Sequence, residues 1–271
     1  MMRTIHFELL RPGEIVVERD RCPLVYLPLG PLEWHSLHLP VGTDPLNAAH
    51  VAEQLAGRIG GVVLPTFYWG TERERSAREN RNLGFNENDT IVGMDFPRHL
   101  IKSLYCREDS LGLLLRDAFN GLIQLKYKLI VIVNGHGALN HVETLQRLCN
   151  EFNGESAAHC LLANAWSSDP YGGFDMSHAE VIETSEMMAL HPDSVDMTQL
   201  PPASEPLANT EFGIVDALTW KGQPTPDHTV RPDCDPRLHA SAEIGHGFLQ
   251  QTIDELEPII QTALENLGAR P

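Results

Sequence analysis

No apolar run of roughly 18 residues occurs anywhere in the 271-residue chain, so nothing in it reads as a membrane-spanning helix. The opening segment from Met1 to Glu8 also lacks the basic-then-apolar pattern of a signal peptide. Cations are scarce: 20 Lys and Arg face 37 Asp and Glu, a formal net charge of -17. Neutralising phosphates takes clustered Lys and Arg, so this balance argues against nucleic acid and against an anionic membrane surface as partners. Five scattered cysteines with no C-x-x-C offer neither a disulfide framework nor a zinc knuckle. Missing too are the G-x-S-x-G elbow of serine hydrolases, the P-loop and the complete G-x-G-x-x-G of dinucleotide sites. A cytoplasmic protein acting on small molecules is the expectation left standing.

What the chain does have is alternation. Leu24 to Leu29 reads as a buried strand, and Asp44-Pro45 as a helix start, with Asp44 as N-cap and Pro45 at the first helical position, running to about Gly60. A second strand is expected over 61–66. The polar stretch 71–90 reads as an exposed helix or long loop, placed to act as a lid and carrying Arg73, Arg75, Arg78 and Arg81. Asp109-Ser110 opens a Leu-rich helix to about Leu125, and 129–133 is the clearest strand. Asn140 with Glu143 resembles a capping box that starts the next helix, followed by a strand over 160–165 and a helix over 179–190. Residues 197–236 are rich in proline and read as irregular, and a long helix is expected over 239–267. This order predicts a mostly parallel sheet with helices on both faces, in one domain over residues 1–271.

Open parallel sheets bind ligands at the carboxyl ends of their strands. Three such ends carry ligand-type groups: Glu33, His35 and Asp44 after the first strand, His136 within Asn134-Gly-His-Gly137, and Asp175, His178, Glu180 and Glu183 beyond the fourth. Glu33 and His35 lie two apart, so an extended segment points both the same way. Asp44 has two carboxylate oxygens, as bridging two ions about 3.5–4 Å apart requires. Mixed carboxylate and imidazole donors suit Zn, Mn, Fe or Co rather than Ca or Cu(I). Each residue alone has an ordinary reading: Asp44 as a helix cap, His38, His50 and His141 as surface or packed histidines, Trp34 and Trp166 as core or pocket wall, Glu180 and Glu186 as a solvated helix face. Coincidence at three strand ends is what outweighs those readings.

At these residues the chain resembles the creatininase (creatinine amidohydrolase-like) family of metal hydrolases. The resemblance rests on residues 29–44 from Leu29-Gly-Pro31-Leu-Glu33-Trp-His35 to Thr43-Asp44, on Val133-Asn-Gly-His136-Gly137, on His178-Ala179 with Glu183-Thr-Ser185, and on a weaker match from Asp235-Pro236 to Gly245. It implies a three-layer α/β/α fold, two divalent ions, zinc or manganese with iron as a further candidate, and a homo-oligomer, typically a hexamer. Carried over, Glu33 and His136 would bind one metal, His35 the other, and Asp44 both. His178 and Glu183 would be the catalytic groups. Members acting on creatinine carry Tyr-Glu directly after this His, the Glu being a ligand, whereas this chain has Gly137-Ala138. Glu183 is therefore expected to supply the missing metal ligand, with Asp175 or Glu180 as substitutes. Phe174 and Ser177 likewise lack the polarity expected around creatinine, so that compound is expected to be a poor substrate. The implied reaction is hydrolysis of a C-N bond in a small amide, lactam or formamide. Relatives with the same motifs suggest, as alternatives, hydrolysis of a C-C bond in a cyclic polyol diketone, a peptidase, or a silent ligand-binding member.

Overall fold

The computed structural model describes residues 4–72, 76–83, 85–88, 101–156, 158–167, 178–205, 207 and 234–269. Its centre is a parallel sheet of β1 (Leu24–Leu29), β2 (Val62–Val63), β3 (Leu129–Asn134) and β4 (His159–Asn164), in the order β2-β1-β3-β4. The register sets Leu29 beside Asn134 and Asn134 beside Asn164, so three strands end level. β1 and β3 are apolar on both faces and wholly buried, as expected of strands covered by helices on each side.

Alternate strand residues feed two cores. Leu24, Tyr26, Leu129, Val131 and Val133 pack with Val51 and Leu55 of α2 (Thr43–Ile59) and with Leu249, Ile253 and Ile260 of α8 (Ala242–Asn266). Val25, Leu27, Leu29, Ile130 and Ile132 pack with Leu111, Leu115 and Phe119 of α4 (Glu108–Gln124) and with Leu145 and Leu148 of α5 (Leu139–Glu155). The result is the three-layer α/β/α arrangement the alternation predicts. α1 (Pro12–Arg21), which the hydropathy reading did not pick out, starts with Pro at its first turn and Glu14 closing a capping box.

Several local expectations need correction. α2 begins two residues early, because Leu46 N–H donates to the Gly42 carbonyl (3.0 Å) and Asp44 is already inside the first turn. Asp44 is therefore not the N-cap, and no side chain caps this helix. α5 likewise takes its first helical bond at the Ala138 carbonyl (Val142 N, 3.0 Å), so Asn140 makes no capping box. β2 is only Val62–Val63; Pro65 has no N–H to continue a ladder, and past it there is an isolated bridge from Leu29 to Phe67. α3 (Ala77–Leu83) realises the helical option for the polar stretch, with Arg81 paired to Glu87 at 2.5 Å. Arg78 is exposed, whereas Arg73 and Arg75 lie outside the described residues, as do Phe174, Asp175 and Ser177 and residues 208–233 of the proline-rich segment. The long C-terminal helix expected over 239–267 is α8, which starts after Ser241, whose side chain accepts from Ile244 N; the short α7 (Pro236–His239), capped by Asp235, precedes it at the end of the stretch read as irregular.

Glu180 and Glu186 do not form a solvated face. They are 4% and 2% exposed, because α6 (Val181–Leu190) is sandwiched against α2 and α8. Among the described residues no helix is long and apolar enough to cross a membrane.

Candidate metal centre

The level ends of β1 and β3 grip the first turn of α2. A Cβ on Gly30 would stand 2.8 Å from Asp44 Cβ, and one on Gly135 would stand 2.0 Å from the Asp44 carbonyl oxygen. Only glycine at both positions lets the helix start come this close, and that approach delivers the Asp44 carboxylate between the two strand ends.

Around it the expected side chains converge. Asp44 Oδ1 lies 2.9 Å from His35 Nε2, and Asp44 Oδ2 lies 3.0 Å from His136 Nδ1. Glu33 Oε2 is 2.9 Å from the same His136 nitrogen, and Glu183 Oε2 is 3.8 Å from His35 Nε2. Three sets of donor atoms each fall within 4.8 Å of one another, Glu33–Asp44–His136, His35–Asp44–Glu183 and Glu33–His35–His178; Asp44 alone belongs to both of the first two. Glu183 thus stands on the His35 side, not beside Glu33 and His136. Glu33, His35, Asp44 and His136 are each at most 5% exposed.

The donor atoms meet without bonding one another in full. Glu33 Oε2 and His35 Nε2 make no hydrogen bond of acceptable geometry despite neighbours at 2.9 Å. Donor atoms gathered within 4.8 Å of one another, some without a hydrogen bond, suit a cation between them. The chemistry of the donors fits as well, imidazole and carboxylate being suited to Zn, Mn, Fe or Co.

Electrostatics agree with a site built for positive charge. Burial alone would lower the His35 pKa, but the Asp44 and Glu183 carboxylates outweigh it and raise it to about 10. Burial opposes charge on His136 as well, yet Glu33 and Asp44 hold its pKa well above the ordinary value. Asp44 and Glu33 are pushed up by burial and brought below the usual carboxylate range, Asp44 by His35 and His136, Glu33 by His136 and His178.

The supporting shell is also built. His35 Nδ1 donates to the Glu33 carbonyl (3.0 Å), which turns Nε2 toward Asp44 and Glu183. The Asn134 side chain brackets His136, accepting from its N–H (3.0 Å) and donating to its carbonyl (2.8 Å). His141 accepts from Thr71 N–H at Nδ1 (3.2 Å) and so donates from Nε2 to Asn134 Oδ1 (3.0 Å). Burial and the nearby His136 hold the His141 pKa well below normal, so this ring is a neutral packed histidine. His38 is another, bonded to Thr184 Oγ1 (2.9 Å) and pushed down to about 3 by burial and by His35 and His178. His50 is half-buried, Trp166 is partly exposed, and Trp34 is buried against the site.

His178 closes the group from the α6 side. Its Nε2 donates to the Trp34 carbonyl (2.5 Å) and lies 3.9 Å from Glu33 Oε1, while its ring centroid is 4.2 Å from that of His35. Ser36 and Ala179, the residues directly after His35 and His178, both have positive φ, 60° and 59°. Left-handed backbone at two non-glycine residues is strain of the kind that gathers at functional sites. Sequence reading did not single out Glu72, whose Oε2 lies 3.9 Å from His136 Nε2. Its signal was available: it is an acid on the loop past the second strand, a fourth strand end on the same edge.

Comparison with known proteins places these observations. The creatininase family model, described as creatinine amidohydrolase, matches residues 12–260. A creatinine amidohydrolase of Pseudomonas putida is 27% identical over 215 residues, covering 71% of this chain and 75% of that protein. The crystal structure of a creatinine amidohydrolase (creatininase) superposes with a TM-score of 0.69 at 21% identity, over 96% of this chain and 98% of that one. An Mn creatininase superposes with a TM-score of 0.66, also at 21% identity and with the same coverage. At such identity the structures bear on the fold alone.

Proposed function

The chain belongs to the creatininase family of hydrolases, and from that premise we propose that it hydrolyses a C-N bond in a small amide, lactam or formamide at a centre of two divalent ions. The observation that carries this reading is the pair of donor sets sharing Asp44. Glu33 and His136 would hold one ion, His35 and Glu183 the other, and Asp44 both, with zinc or manganese the occupants and iron a further candidate. Two cations there would supply Lewis acidity at a substrate carbonyl and a more acidic water at neutral pH. The chain's own groups do the rest. Burial of Glu33, His35, Asp44 and His136 keeps bulk water from the charged atoms. His178, with Nε2 committed to the Trp34 carbonyl, retains Nδ1 to take up a proton and pass it to the leaving nitrogen. Glu183 accepts from Ala179 N–H (2.5 Å), which ties its carboxylate to the backbone beside His178.

Creatinine is proposed to be a poor substrate, because Ala138 offers no carboxylate where creatinine-acting members carry one. We further propose a single domain over 1–271, a cytoplasmic location in keeping with five free cysteines, and a homo-oligomer, a hexamer by resemblance. The test is a screen of cyclic amides, lactams and formamides on protein stripped of metal and reloaded with zinc or manganese. Metal-dependent turnover of one such compound is the expected result. Wild-type protein that takes up none of zinc, manganese, iron or cobalt would defeat the reading. Creatinine turnover at roughly 1–1000 per second would defeat its substrate clause.

A further inference from the structure

The two histidines of the centre are not held alike. His35 has its far nitrogen, Nδ1, hydrogen-bonded to the Glu33 carbonyl, which fixes both ring orientation and tautomer. His136 turns Nδ1 toward Glu33 and Asp44, and its far nitrogen, Nε2, is buried with no hydrogen-bond partner among the described residues. A metal-binding imidazole almost always donates its other N–H to an acceptor, and a buried donor without one is costly.

Neighbouring groups narrow the choice of acceptor. His141 packs edge-on to His136 with ring centroids 5.0 Å apart, but both its nitrogens are committed, to Thr71 and to Asn134. Tyr105 lies farther off, its ring centroid 6.2 Å away. The carboxylate facing Nε2 is Glu72, with Oε2 at 3.9 Å and a side chain 15% exposed. Its backbone is anchored beside His136 on two sides: Thr71 N–H is bonded to His141, and the Gly70 carbonyl accepts from Cys106 N–H (2.9 Å). Closing 3.9 Å to a hydrogen bond of at most about 3.2 Å needs a movement of about 0.7 Å, within reach of a glutamate side chain on a fixed backbone.

We propose that Glu72 is the positioning residue of His136, accepting its Nε2–H and thereby holding the tautomer that presents Nδ1 to the ion shared with Glu33 and Asp44. Glu72 touches no reacting atom in this assignment. It makes His136 a more basic donor and fixes its ring plane, so its loss weakens one ion and leaves the other in place. The inference rests on the two-ion reading above.

Zinc titration of metal-free protein, followed through the ring ¹⁵N signals of His35 and His136, reads the two ions separately. Wild type is expected to show His136 protonated at Nε2 and metal-bound at Nδ1. Glu72→Ala is expected to weaken the ion reported by His136 by about 10–100-fold, to speed exchange of the Nε2 proton, and to leave the ion reported by His35 unchanged. Glu72→Gln keeps an acceptor oxygen and is expected to recover part of the loss. Equal weakening at both ions, no weakening, or a Gln variant no better than Ala would overturn the proposal. Melting of the metal-free variants checks that each is folded; should Ala fail that check, the Gln variant decides, since a selective loss at His136 supports the assignment and an unchanged titration refutes it. A wild type that binds no zinc brings down the two-ion reading itself. Two bound ions with an indifferent Glu72→Ala bring down only the role of Glu72.

Discussion

Replacing Asp44 by Asn separates a shared metal ligand from a residue that merely starts a helix. As an N-cap, Asp44 would contribute about 0.5–2 kcal/mol. Gly42 occupies that position, and the Asp44 carboxylate is turned to His35 and His136 instead. In protein stripped of metal the size of that interaction follows from His35. A rise from 6.5 to about 10 at roughly 1.4 kcal/mol per pH unit is on the order of 5 kcal/mol. Asp44 is closer to the ring than Glu183 and less exposed, 4% against 25%, so it takes the larger share. Asp44→Asn should therefore cost metal-free protein about 3–5 kcal/mol, the usual loss when one partner of a buried pair is removed.

The pH dependence has a definite sign. Because the His35 pKa is raised in the folded protein, its stabilisation is complete below 6.5 and is lost as pH climbs through about 10. Because the Asp44 pKa is lowered, its stabilisation is present above 3.8 and is lost only in stronger acid. The gap between wild type and Asp44→Asn should thus be widest between pH 3.8 and 6.5 and shrink toward pH 10. Urea unfolding in chelator across that range measures it. Elemental analysis after reloading gives the other half: Asp44→Asn should lose both ions, Glu183→Gln one at most. A loss no larger than a cap, constant with pH and with metal content unchanged, would refute the reasoning.

Other perturbations test the surrounding structure. Glu186 is held well above the ordinary carboxyl range, first by burial and then by Glu183 and Asp44; wild type should lose stability as pH rises from about 4.5, and Glu186→Gln should abolish that slope in urea titrations. Parallel curves for the two proteins would refute it. Asn134→Ala removes three buried hydrogen bonds, two to the His136 backbone and one from His141; at about 1–3 kcal/mol for each group left unsatisfied, a loss of several kcal/mol in thermal or urea unfolding is expected. Gly135→Ala places a methyl 2.0 Å from the Asp44 carbonyl oxygen, so its cost should exceed the roughly 3 kcal/mol of ordinary overpacking, as read from its melting curve or its failure to fold.

The parts of this protein legible in its sequence are those governed by period and strand-end placement. β1 and β3 are continuous apolar runs, as strands covered on both sides must be, and the long helices carry 3.6-residue patterns. The convergence of Glu33, His35, Asp44, His136, His178 and Glu183 followed from three loops on one edge of a parallel sheet. Helix starts were less legible. Asp44-Pro45 and Asn140 have capping chemistry, but tertiary contacts set where α2 and α5 begin, through two glycines in one case and the bracing of His136 by Asn134 in the other.

Burial of charge was the least legible of all, and for one reason. A glutamate reads as solvated unless something far away in sequence covers it, and α6 is covered by α8, some 60 residues on. There Glu186 meets Asn47 of α2, whose Nδ2 donates both to it (3.1 Å) and to the Ala165 carbonyl (2.9 Å). A second carboxyl is thereby packed behind Glu183, one turn along the same helix. Ionising it would add negative charge next to a centre whose own carboxylates already attract two imidazoliums or two cations, and burial resists that ionisation. α6 can therefore carry both acids three residues apart because burial opposes charge on Glu186. Glu183 faces the donor cluster, and Glu186 is buried behind it.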